Sequence, residues 1–105
     1  MVDGKPSVRL SAREIEVIRA TVERLIGSAC LRVFGSRARE EEKGGDIDLL
    51  IETGRNLESR IATECRVASE LQILLGDQKI DVIIVDPETA EQPIHKIARQ
   101  TGVII

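Results

Sequence analysis

Residues 46–52 read Asp-Ile-Asp-Leu-Leu-Ile-Glu, two acids one residue apart followed by an apolar run. Side chains of a strand alternate between faces, so residues i and i+2 point the same way. A strand here puts Asp46 and Asp48 on one face and Ile47, Leu49 and Ile51 on the other, in the core. The two carboxylates then lie about 7 Å apart, twice the strand rise. Ionised together inside a fold they repel, a costly arrangement unless a cation sits between them. A hard divalent ion with oxygen ligands, Mg²⁺ above all, is the natural neutraliser.

The rest of the chain supplies a frame for this strand. Ser11 and Glu14 have the spacing of a capping box, and Ile15, Ile18, Val22, Leu25 and Ile26 follow at helical intervals until Gly27. Residues 30–35, Cys-Leu-Arg-Val-Phe-Gly, suit a first strand ended by glycine. After the second strand, Leu57, Ile61, Cys65, Ala68, Leu71 and Leu75 form one apolar stripe of a long helix closed by Gly76. Residues 79–86 predict a third strand, apolar on both faces except for Asp81. Asp86 and Pro87 predict the start of a last helix that includes Ile94, Ile97 and Ala98 and closes at Gly102. The final Val-Ile-Ile is a candidate short edge strand. The expectation is one α/β domain over residues 1–105, a small mixed β-sheet flanked by α-helices.

Asp81 interrupts an apolar strand, where an unpaired acid is expensive. With the second and third strands as neighbours, it lies beside Asp46 and Asp48 and completes a three-carboxylate site; the alternative is an ion pair with Lys79 or an arginine. Three such acids suit two metal ions gripping a triphosphate for in-line displacement. Gly35 permits close backbone approach, and the Ser36 hydroxyl with nearby amides can hold phosphate oxygens. Arg37 and Arg39 lie either near those phosphates or on a solvated surface with Glu40, Glu41, Glu42 and Lys43.

Gly35 and Ser36, nine intervening residues, the acid pair at Asp46 and Asp48, and the later Asp81 resemble the signature of the DNA polymerase β-like nucleotidyltransferase superfamily. More narrowly, the chain resembles a minimal nucleotidyltransferase of the MNT antitoxin type paired with a HEPN toxin. The resemblance implies a nucleotidyltransferase fold, with Gly35 and Ser36 on the triphosphate, Asp46 and Asp48 on the metals, and Asp81 as third ligand or base. It also implies Mg²⁺-dependent transfer of AMP from ATP to a hydroxyl, a tyrosine on the toxin, in a type VII-like pair. Larger members carry a helical domain for the acceptor; the sequence ends where that domain would begin, so the acceptor site is expected to be shallow or to be completed by another protein. A masking antitoxin without chemistry, or transfer to a small molecule such as an aminoglycoside, are the alternatives.

Composition excludes other classes. Phe34 is the sole aromatic residue, which removes the stacking platforms used for single strands, and the net charge of −3 argues against holding nucleic acid by counterion release. Cys30 and Cys65 read as two buried free thiols. No apolar run approaches spanning length and no signal-peptide core is visible, so a reducing cytoplasm is the expected setting. His95 is either solvent-facing or structural, and its placement offers no nucleophile–base pair.

Overall fold

A computed structural model describes residues 10–35, 46–76 and 78–105. The first helix, α1 (Ala12–Leu25), begins as its sequence requires. The Glu14 amide donates to Ser11 Oγ at 3.0 Å, and the Ser11 amide donates to Glu14 Oε1 at 2.8 Å. Strands β1 (Cys30–Phe34) and β2 (Ile47–Glu52) pair antiparallel. Helix α2 (Arg60–Leu75) carries the chain to β3 (Ile80–Val85), which lies parallel to β2, and α3 (Pro93–Thr101) leads to the two-residue β4 (Val103–Ile104). The sheet has order β3-β2-β1-β4 and is mixed. A parallel pair needs a crossover, and α2 supplies it.

Alternation along the strands divides the core in two. Ile47, Leu49 and Ile51 of β2 pack with Leu31, Val33, Ile80 and Ile84 against α1 (Ile18, Val22) and α2 (Val67, Leu71). On the other face Phe34 and Leu50 pack against Ala98 of α3, beside Ile83 and Val85. Glu52, on this second face, accepts from Arg32 and from Arg99 Nε at 2.6 Å, and Arg99 Nη1 also reaches Glu91 at 2.7 Å. These contacts hold α3 over the Glu52 end of β2.

Three expectations are corrected. Asp86 and Pro87 do not start a helix. The Asp86 carboxylate accepts from the Glu88 amide (3.0 Å), the Thr89 hydroxyl (2.8 Å) and the distant Leu57 amide (3.4 Å), closing a turn instead. The helix begins one proline later, at Pro93, where Gln92 N–H donates to Nδ1 of the buried His95 at 3.0 Å. His95 is thus structural.

The apolar stripe of α2 is also rotated. Val67 and Leu71 are buried, whereas Ile61 is 62% exposed and Cys65 is exposed. The cause is the sheet edge. β3 is an outer strand, and the Ile84 amide on its free side is met by Glu64 Oε2 at 2.8 Å, which also pairs with Arg60 at 3.1 Å. An open edge invites mispairing and leaves a polar group unsatisfied, so turning Glu64 inward closes it and turns Ile61 and Cys65 outward. Finally, the thiols are free but not both buried, since Cys30 is half-buried. Among the described residues, no helix is long and apolar enough to cross a membrane.

Candidate active site

The register brings the acids together. Asp48 faces Phe34 of β1 on one side and Asp81 of β3 on the other. In a parallel pair, directly opposed residues present their side chains on the same face. Asp48 and Asp81 therefore stand side by side on the α3 face, with Asp46 one strand repeat away at the mouth of β2. Asp46 and Asp48 are half-buried and Asp81 is exposed, so this end of the face is open to solvent.

Gly35 follows β1 with φ of +73°, a left-handed conformation that favours glycine. A Cβ there would sit well inside van der Waals contact of Asp48 Oδ2 and 3.3 Å from its Cγ. The missing side chain makes room for the Asp48 carboxylate. The sequence reading gave Gly35 a role toward phosphate; the antiparallel register gives it this second one.

The electrostatics follow from that crowding. The Asp48 carboxyl is raised above its ordinary range by burial first, then by the negative charges of Asp81 and Asp46 and a hydrogen bond with Asp81; Lys79 opposes the shift. Lys79 Nζ lies 3.7 Å from Asp46 Oδ2. Sequence reasoning considered Lys79 only as a partner of Asp81 and missed this contact. The signal for it is strand alternation, which puts Lys79 and Asp81 on one face.

Among the described residues, no three acidic, histidine or cysteine side chains converge into a preformed metal cage. The donor set nevertheless fits a hard divalent cation. Asp48 and Asp81 are adjacent carboxylates whose mutual repulsion a cation would relieve, and the charge of Asp46 acts on Asp48 as well. Ser36, Arg37 and Arg39, expected on the phosphates, lie outside the described residues.

Residues 16–105 match the family model described as polymerase beta, nucleotidyltransferase. The chain belongs to this family. As a nucleotidyltransferase of this kind, it falls among proteins that generally use a nucleotide substrate and a divalent metal. No curated protein sequence matches it closely enough to count as a relative. Solved structures share the nucleotidyltransferase fold at low identity. A protein from Shewanella oneidensis is 14% identical with a TM-score of 0.66, covering 90% of this chain and 71% of that one. A chain of the toxin-antitoxin complex MntA-HepT is 20% identical with a TM-score of 0.65, covering 90% and 70%. A chain of the complex of tri-AMPylated Shewanella oneidensis HEPN toxin with MNT antitoxin is 22% identical with a TM-score of 0.59, covering 87% and 66%.

Proposed function

We propose that this nucleotidyltransferase is an antitoxin that transfers AMP from ATP to a tyrosine hydroxyl of a HEPN-type toxin and so neutralises it. The observation that carries the chemistry is the pairing of Asp48 with Asp81 on an open sheet face, with Gly35 packed against Asp48. The antitoxin role is supported by the fold shared with chains of MntA-HepT and of the AMPylated HEPN toxin complex.

In this reading Asp46, Asp48 and Asp81 hold Mg²⁺, two ions in the full site, and Gly35, Ser36, Arg37 and Arg39 receive the triphosphate. The metal, when bound, neutralises the charge of the phosphates and of the leaving group. The acceptor oxygen attacks the α-phosphorus in line, the bond from that phosphorus to the bridging oxygen breaks, and pyrophosphate leaves. The hydroxyl proton passes to a carboxylate. Asp81 is the natural receiver, because it lies on the outer strand and is exposed, where an incoming protein meets it first. Catalysis depends on holding the acceptor oxygen at the phosphorus, a task the partner shares. These 105 residues contain no tyrosine, so the acceptor tyrosine lies outside them, in this reading on the toxin. The setting we propose is the cytoplasm, with one minimal domain as the acting unit.

The test is protection of cells from the toxin at equal protein amounts. The Asp46→Asn, Asp48→Asn variant should bind the toxin and fail to protect. Protection equal to the parent would show that masking, rather than transfer, is the function.

A further inference from the structure

Lys79 is placed where a cation at the acid face has consequences. Its carbonyl accepts from the Ile47 amide at 3.0 Å, which ties its backbone to β2 between Asp46 and Asp48. Its ammonium is 3.7 Å from Asp46 Oδ2, with side chains 68% and 44% exposed. An exposed pair of this length contributes little to stability. The Lys79 charge does act on the site, because it draws on Asp48 as well as Asp46.

A positive charge fixed here has opposite effects on two ligands. It repels a free divalent cation and competes with it for Asp46. It attracts a metal–triphosphate complex, whose net charge is negative. A unit charge several ångströms from an ion near the protein surface changes binding by about tenfold.

We propose that Lys79 is a tethered counter-ion that occupies Asp46 in the metal-free protein and makes the site select metal carried on a nucleoside triphosphate over the free metal ion. When the complex enters, the ammonium leaves Asp46 and turns to the phosphates. Lys79 is thus a specificity-determining residue of the proposed site, and the inference rests on that site's being the carboxylate cluster.

The test is binding rather than turnover. Affinity for Mn²⁺ alone is read by the paramagnetic signal of free Mn²⁺, and affinity for Mn²⁺ with a non-hydrolysable ATP analogue by calorimetry. Lys79→Gln should bind Mn²⁺ alone about tenfold tighter and the metal–analogue complex about tenfold weaker. Lys79→Arg, which keeps the charge, should stay near the parent in both. Thermal stability of Lys79→Gln should be close to the parent's, as expected of an exposed pair. If Lys79→Gln shifts both affinities in the same direction, or neither, the counter-ion role is overturned. Mn²⁺ binding that survives unchanged in Asp46→Asn, Asp48→Asn would overturn the carboxylate site, and Lys79's role with it. The two failures are distinguishable by which variant stays silent.

Discussion

Replacing Gly35 by alanine separates two costs that the structure places at one residue. The first is conformational. At φ of +73° a non-glycine residue pays roughly 1–2 kcal/mol for left-handed backbone. The second is steric. The new Cβ would overlap Asp48 Oδ2, and its 3.3 Å approach to Cγ leaves the carboxylate to swing away. Driving a side chain off its rotamer costs about 0.5–1.5 kcal/mol. Gly35→Ala should therefore lose roughly 1.5–3.5 kcal/mol in all. In an Asp48→Ala background the overlap is gone, and the same change should cost only about 1–2 kcal/mol. Urea denaturation of the four proteins of this cycle measures the difference as a coupling of roughly 1 kcal/mol. A cost for Gly35→Ala that is the same in both backgrounds would refute the claim that Gly35 exists to seat Asp48. Independently, Gly35→Ala should weaken Mn²⁺ binding, because the displaced carboxylate no longer stands beside Asp81.

Glu64→Ala should destabilise the fold by about 1–3 kcal/mol, because it leaves the Ile84 amide on the outer edge of β3 unmatched. Glu64→Gln keeps an acceptor oxygen and should recover most of that in chemical denaturation. Asp86 and Asp48 should show opposite pH dependence in thermal melts. The Thr89 hydroxyl, and then the Leu57 and Glu88 amides, hold the Asp86 carboxyl below its usual range. Its stabilisation is therefore present above the unfolded value and lost as pH falls through the folded one, so the deficit of Asp86→Asn narrows in acid. Asp48 is shifted up, so its penalty is absent below the unfolded value and complete above the folded one. Asp48→Asn should thus stabilise the metal-free protein near neutral pH, with the gain vanishing in acid. A gain that persists there would rule out the burial of a charged Asp48, and its repulsion by Asp81 and Asp46, as the cause.

The α1 boundaries and the shared face of Asp46 and Asp48 were legible because each rests on local periodicity; the place of Asp81 beside them also needed β3 next to β2. The capping box is spelled within four residues, and alternation assigns faces without knowledge of neighbours. What depended on partners was not legible. The sequence reads Asp86-Pro87 as the start of the last helix, whereas that helix begins at Pro93. Asp86 is held in a turn instead, by the Thr89 hydroxyl and the Glu88 amide, and the Leu57 amide, far away in sequence, adds a third contact at 3.4 Å. Ile61 and Cys65 follow the apolar period of α2, yet face outward because β3 is an edge and needs Glu64. The fit of Gly35 against Asp48 requires the β1–β2 register, and the hold of Lys79 on Asp46 requires β3 beside β2. Periodicity within one segment carries neither.

The central claim is transfer of AMP to a protein hydroxyl, and the intact mass of the partner tests it most directly. A trace of the chain is incubated with ATP, Mg²⁺ and an excess of the purified HEPN-type toxin. The account predicts that the toxin gains the mass of one or more AMP groups on tyrosine, many toxin molecules per molecule of this chain. The Asp46→Asn, Asp48→Asn variant should leave the toxin mass unchanged while still forming the complex. A toxin that stays unmodified by the parent chain, yet is silenced in proportion to the amount of chain added, would contradict it.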